Sequence, residues 1–353
     1  MLQKVGISLL LSKITLVIIM QVIITRVFMI DFKITSLASL LRDSYEIGDG
    51  NLNFVYKIMH EKKLYALKHA KPYLKMLGEE FQLTSKRILA EMNSMEYFHS
   101  ITPDFVPKIY HKSENEFFFV MEYLEGYIKL REEKNNIIAY EKLGNFLFSL
   151  AQNNPQNQAY FECSELKEIT KNYVFEYPFI KNHEALVIAD YFVWREFSKE
   201  FLANKERLKQ IFLHSKTSLI HGDLHTDSIM VKKDCIAVID SEFSLFCEVS
   251  FDIGNLLAHI IFSQIAHKNT PYKEKINFLL QNFESSSEII KNAIGFCSVE
   301  MARRLYVPAK SRDLEACLHK QEAYKLAYEI ANELGSTHFH KPSSFIKTLE
   351  VYL

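Results

Sequence analysis

Residues 219–254, LIHGDLHTDSIMVKKDCIAVIDSEFSLFCEVSFDIG, constrain the fold more than any other part of this chain. His221, Asp223 and Ser228 share one short loop. An apolar strand follows from Cys235 to Ile239, ends in Asp240 and Glu242, and gives way to a helix opened by Asp252. An aspartate in a tight loop, with acidic residues where the next strand exits, suits phosphoryl transfer. One carboxylate accepts the proton of a substrate hydroxyl while the others hold Mg²⁺ on a nucleotide. Each piece has an ordinary explanation when taken alone, a loop Asp or a strand-end carboxylate making a turn. Their spacing together implies a small-molecule kinase.

Composition narrows the alternatives. The 353 residues fit one two-lobed domain or two domains and are long enough to bury a sizeable core. Hydrophobic residues make up 48% and charged residues 24%, an ordinary globular balance. Lys and Arg (42) nearly cancel Asp and Glu (43), giving a formal net charge of −1. No global field therefore draws the chain to nucleic acid or an acidic membrane, and a small molecule is the expected partner. Five scattered cysteines (Cys163, Cys235, Cys247, Cys297, Cys317) include no C-x-x-C pair. That pattern implies reduced thiols in a cytoplasmic protein and not a disulfide framework or a zinc site. Residues 5–30 are mostly apolar, but Lys13, Gln21 and Arg26 interrupt a run that must reach about 20 apolar residues to span a bilayer. No clear small-residue cleavage site follows. Residues 1–28 are read as a disordered extension or as sequence upstream of a natural start at Met29, with a retained membrane anchor or signal as the alternative.

Beyond this leader (1–43, including a short helix after Met29), the chain divides at about residue 124. From Ser44 to Ala70 the pattern predicts a three-stranded antiparallel meander: Tyr45 to Gly48, Leu52 to Met59 and Leu64 to His69, with a turn at Asp49-Gly50-Asn51. Glu80 to His99 has helical spacing, with Ile88, Met92 and Met95 on one face. Another strand runs from Phe117 to Met121, and a hinge follows at 122–127. Residues 125–353 read mainly as helix: Tyr140 to Gln152, Tyr191 to Leu213, Asp252 to Ala266, Ser286 to Tyr306 and Asp313 to Leu334. The expected fold class is α+β, a β-rich N-lobe (44–124) joined to a larger helical C-lobe that contains the chemical loop.

Asp223 is the candidate base, with Gly222 beside it permitting unusual backbone angles. In Asp240-Ser241-Glu242, side chains two apart on an extended segment point the same way, so both carboxylates can face one ion. Lys68 alternates with apolar neighbours in a strand and can reach nucleotide phosphates while paired with a helix glutamate. Glu91 is the best partner, with Glu79 and Glu80 as alternatives. Glu122 and Leu124 can offer backbone groups to an adenine edge. Arg303-Arg304 ends an apolar helix, either as a ligand clamp or as cations complementing the helix terminus. His225 either touches substrate or braces the loop, and Trp194 is expected in the core.

At these residues the chain resembles the 5-methylthioribose kinase family of the aminoglycoside-phosphotransferase and choline-kinase-like group. The turn GDGNLN stands intact at Gly48 to Asn53. Further matches are Lys68 to Tyr73, Gly78 to Thr84, Val106 to Ser113, Val120 to Leu124, His221 to Ile229, Val238 to Phe243, Ser250 to Gly254 and the arginine pair. The resemblance spans roughly residues 44 to 335, too many motifs for coincidence. It implies a two-lobed protein-kinase-like fold and ATP- and Mg²⁺-dependent phosphorylation of the C1 hydroxyl of 5-methylthioribose. The implied ATP contacts are Asn53, Lys68, the hinge Glu122-Tyr123-Leu124, and Asp240-Ser241-Glu242, whose two carboxylates are also the metal ligands. Asp223 is implied as base beside the sugar, with Arg303 and Arg304 also on the substrate. Members of the group often form dimers, so a homodimer is an expectation. Departures stand out: Asp227 for glycine, Ser241 for proline, Phe81-Gln82 for Trp-Pro, Tyr123 for Asp and a segment between Ile260 and Arg303 that is short for the family. They leave phosphorylation intact but open the acceptor to another sugar, amino alcohol or aminoglycoside; a nucleotide-binding protein without turnover is a separate alternative, favoured by loss of a catalytic carboxylate or of Lys68, and neither is lost. Asp227 puts a negative charge near the phosphates, where it would repel one or recruit a second cation.

Overall fold

A run of β-branched, aromatic and alternating apolar residues builds the first layer. The computed structural model describes residues 36–48, 50, 52–75 and 78–353. The leader, the start of the helix after Met29, and the turn residues Asp49 and Asn51 lie outside the described residues. The short helix α1 (Leu37–Leu41) precedes β1 (Tyr45–Glu46), β2 (Phe54–His60) and β3 (Lys63–His69). The small pair β4 (Tyr73–Leu74) and β5 (Gly78–Gln82) comes next, then α2 (Arg87–Ile101), β6 (Ile109–Ser113) and β7 (Phe118–Glu122). The strands β1-β2-β3-β7-β6 form one antiparallel sheet. Side chains alternate across it. Tyr65, Leu67, Phe118 and Val120 pack outward with Ile58 and the leucines of α1, while Ala66 and Phe119 join Ile88, Met92 and Met95 in the main core. Lys68, in register with Val55 and Phe119, falls on the α2 side.

The expected meander is thus present. The helix expected from Glu80 begins seven residues later, because Gly78–Gln82 is held as a strand against β4. Strand β6 did not stand out in the sequence.

The remaining chain is mostly helical. After β8 (Ile128–Lys129) come α3 (Ile137–Gln152), α4 (Ser164–Lys171, running on through a π-turn at Asn172–Glu176) and α5 (Lys199–His214). Strands β9 (Ser218–Ile220), β10 (Ile229–Lys232), β11 (Cys235–Val238) and β12 (Leu245–Cys247) carry the chemical loop. Helices α6 (Ser250–His267), α7 (Tyr272–Leu280), α8 (Ser287–Tyr306), α9 (Arg312–Ala316), α10 (Lys320–Ser336) and α11 (Pro342–Leu349) complete the chain. All of α6 from Ser250 to Ile265 is buried, the polar Asp252, Asn255 and His259 included.

Two expected helices are shorter or divided. Residues 191–198 are not helical: Phe192 and Phe197 anchor that segment in the core, and the Ser198 hydroxyl caps α5 by accepting from Phe201 N at 3.1 Å. The helix expected over Asp313 to Leu334 is two helices, separated at Cys317–His319. Trp194 is half-buried against the core and donates Nε1–H to Pro178 O. Among the described residues all five cysteines are free, and no helix is long and apolar enough to cross a membrane.

Candidate active site

The loop between β9 and β10 is shaped by its own side chains and by α6. Asp252, in the first turn of α6, accepts from the backbone N–H groups of His221 (2.7 Å) and Gly222 (3.0 Å). Burial raises its carboxyl to about 7, against those two hydrogen bonds. The buried His221 ring has Ile239 O 2.8 Å from Nε2, while Asp223 N donates to Nδ1 at 3.3 Å, so one neutral tautomer satisfies both contacts. Gly222 sits at φ +84°, and a Cβ there would lie 2.0 Å from Phe243 O. Only glycine fits that crossing. Ser228 closes the loop, accepting from His225 N at 2.9 Å.

Asp223 is therefore presented from a rigid turn. Its Oδ2 lies 3.5 Å from His225 Nε2, and its Oδ1 lies 3.3 Å from Arg303 and 3.6 Å from Arg304. Desolvation pushes its carboxyl up, but His225, Arg304 and Arg303 outweigh it and hold the group well below the usual range. Asp223 is an anion at any physiological pH. The arginines stand in the last turn of α8, where the buried Glu300 accepts from Nε of Arg303 and, at 2.6 Å, from Nε of Arg304. They are not solvated cations finishing a helix; they are buried and aimed at Asp223.

A second group of charges joins the sheet to the loop after β11. Lys68 Nζ contacts Glu91 Oε1 at 2.6 Å and Asp240 Oδ1 at 2.7 Å. Burial lowers its pKa, but Asp240, Glu91 and Glu242 outweigh that and raise it. Glu91 is thus the partner, while Glu79 and Glu80 are exposed on β5. Asn53 donates to Glu242 and accepts Arg87 Nε at 2.9 Å. The fully buried Arg87 also donates to the carbonyls of Lys71, Thr84 and Leu52, locking the turn that presents Asn53. Nothing in the local sequence marks Arg87 for this work.

The DSE segment differs from the extended geometry expected. Asp240 adopts the left-handed conformation (φ 63°, ψ 44°) and Ser241–Phe243 form one 3-10 turn. Asparagine and aspartate tolerate that conformation best among residues with a Cβ. The bend still leaves Asp240 and Glu242 lining one cleft with Asn53, Lys68, Glu122, Tyr123, Leu124, Asp223 and Arg304. Ser241 is buried outside the cleft lining, and its carbonyl accepts the Ser244 hydroxyl. Asp227 is not aimed at phosphates as a free charge: Arg131 holds it at 2.8 Å, with Arg312 at 3.7 Å.

The donor set fits a divalent ion that shares its coordination with phosphates. Burial raises Glu242 to about 8, Lys68 and Arg87 offsetting it too little against the charges of Glu91 and Asp240. A cation would supply the missing counter-charge. Among the described residues no group of three or more His, Cys, Asp or Glu is placed to hold a metal alone. Two carboxylates completed by phosphate oxygens and water match the habit of Mg²⁺. Chemically, the cleft offers an ionised base at one end and a lysine with two metal-competent carboxylates at the other.

The phosphotransferase enzyme family matches residues 43–269. A methylthioribose kinase from Geobacillus sp. (strain WCH70) is 32% identical, over 87% of this chain and 88% of that protein. Another from Geobacillus kaustophilus is 30% identical, over 78% and 82%. The structure of an amicoumacin kinase in complex with AMP-PNP and Ca²⁺ superposes with a TM-score of 0.52 at 16% identity, over 86% of this chain and 91% of that one. A choline kinase from Cryptosporidium parvum gives 0.50 at 12% identity, over 93% and 96%. At such identities these two structures establish the kinase-like fold alone.

Proposed function

Because the chain belongs to the phosphotransferase enzyme family and is a small-molecule kinase, we propose that it transfers the γ-phosphoryl group of ATP, with Mg²⁺, to the C1 hydroxyl of 5-methylthioribose. The observation that carries this is Asp223, an ionised carboxylate between His225 and the Arg303-Arg304 pair, in the same cleft as Lys68, Asp240 and Glu242.

The nucleotide end lies between the lobes, which we divide at the 122–127 hinge. Lys68 sits where it neutralises phosphate oxygens, and Asn53 at the turn that covers them. Residues 122–124 line the cleft where an adenine edge would lie. Asp240 and Glu242 would hold Mg²⁺, which when bound supplies charge neutralisation on the phosphates. Asp223 orients the acceptor hydroxyl and accepts its proton as the new O–P bond forms and the bond to the ADP oxygen breaks. The arginine pair fixes the carboxylate and faces the acceptor.

The acceptor is a neutral sugar for an electrostatic reason. Arg304, Lys310 and Arg312 line that end of the cleft, with Arg303 beside Asp223, while Asp227 is already neutralised by arginine. With Asp223 held by both arginines and Asp227 by Arg131, a quaternary ammonium or polycationic aminoglycoside would find its carboxylate partners already paired. The methylthioribose kinases at 30% and 32% identity support the choice of sugar. Single-turnover transfer from labelled ATP to methylthioribose, ribose, choline and an aminoglycoside tests this. Methylthioribose should be labelled alone, and Asp223→Asn should lower the rate by about 10³-fold or more with nucleotide affinity unchanged. Transfer to another acceptor in its place would overturn the substrate, and undiminished transfer by Asp223→Asn would overturn the base.

A further inference from the structure

His259 lines the same cleft as Asp223, His225 and Arg304, and no motif marks it. It lies two turns into α6 beyond Asp252, with its side chain about 95% buried. Its ring stacks on His225 at 5.3 Å between centroids and 19° between planes. Nδ1 lies 3.3 Å from the Thr226 hydroxyl. Among the described residues Nε2 has no hydrogen-bond partner, Glu300 Oε1 being 4.0 Å away. Glu300 is already engaged by both arginines. A buried polar nitrogen left unpaired is destabilising, and this one belongs to a residue that lines the cleft.

We propose that His259 is an acceptor-recognition residue whose Nε2 hydrogen-bonds a second hydroxyl of the acceptor, one that is not phosphorylated. This rests on a hydroxyl acceptor occupying the Asp223 end of the cleft. The chemistry is specific to hydroxyls. When Thr226 donates to Nδ1, Nε2 carries the proton and donates; in the other tautomer it accepts, and a hydroxyl can complement either state. Desolvation, with Arg304 and His225 nearby, keeps the ring neutral. The stack on His225, which itself reaches Asp223 Oδ2 at 3.5 Å, fixes the ring plane relative to the base. A hydroxyl read by Nε2 would thereby hold the reacting hydroxyl in register with Asp223.

The test uses the full chain with the best acceptor that the wild type phosphorylates. His259→Leu should raise the KM for that acceptor about tenfold while the KM for ATP stays within about twofold. His259→Asn, which keeps a polar N–H, should recover most of the loss, and it carries the comparison should the leucine variant fail to fold. Among monodeoxy forms of the acceptor, one should be used equally well by wild type and variant, identifying the hydroxyl that is read. An unchanged acceptor KM in both variants would overturn the proposal. So would losses that are equal for every deoxy form and extend to ATP, since those report a brace for Glu300. If the best acceptor is not methylthioribose, the substrate assignment fails while the His259 comparison stands. A wild type that phosphorylates no hydroxyl compound overturns both.

Discussion

At the scale of single residues, the site works by burial set against partner charge. Asp223 and Asp240 both line the cleft and lose part of their solvation there, and both are held ionised by cations reaching them from elsewhere in the fold. His221 shows the opposite outcome. Burial lowers its pKa from 6.5 to about 4, its contact with Ile239 O offsetting only part of that cost. Between those values the unfolded chain binds a proton that the folded chain refuses, so this residue's contribution to stability falls as pH drops from about 6.5 toward 4. Urea unfolding at pH 7 and pH 5 should show the wild type losing about 2 kcal/mol more than His221→Gln over that interval. Equal losses would mean that the ring titrates normally in the folded state.

At the scale of elements, α6 and α8 are the pair that brings the candidate site's charged groups together. Helix α6 carries Asp252 and His259; α8 carries Glu300, Arg303 and Arg304. They cross closely at Gly254, where an added Cβ would lie 2.6 Å from Phe296 Cβ and 2.7 Å from both Ala293 O and Cys297 N. Two of those atoms are backbone and cannot rotate away, so the helices would have to separate. Gly254→Ala should cost about 1–3 kcal/mol in urea unfolding and should also lower kcat, because separating the helices moves the arginines relative to Asp223. Lost stability with unchanged kcat would show that the crossing braces the fold without aligning the site. The helices α6 and α8 were legible in the sequence. The late start of α2 and the break at Cys317–His319 were not, since helical spacing continues through residues whose backbones are committed to β4–β5 pairing or to a turn.

At the scale of the whole molecule, the two lobes meet through charge. Lys68 and Asn53 come from the sheet side; Asp240 and Glu242 come from the loop after β11. Under the proposed function, a nucleotide bound between them with its metal would tie the lobes together and stabilise only the folded state. Saturating AMP-PNP with Mg²⁺, at 100 times its Kd, should add about 2.7 kcal/mol to the unfolding free energy measured by calorimetry. Chelating the metal with EDTA should remove most of that gain, as should Lys68→Met. A gain insensitive to EDTA would overturn the roles given to Asp240 and Glu242 as metal ligands.

What the sequence determined by itself is whatever neighbouring residues encode. The loop around Asp223, the carboxylates at the exit of the next strand, the alternation that puts Lys68 on one face of β3 and the N-lobe meander are all local patterns, and family resemblance organised them into a kinase. Tertiary structure decided the partners. It chose Glu91 over Glu79 and Glu80, bent Asp240 into the left-handed region, gave Asp227 to Arg131, placed Arg87 behind Asn53 and brought His259 and Glu300 to the acceptor end. Glu300 alone had a legible signal, three and four residues before the arginines on one helix face. The other contacts join residues far apart in sequence, 172 positions in the case of Lys68 and Asp240. Periodicity reports which face of an element is buried; only packing reports what it is buried against.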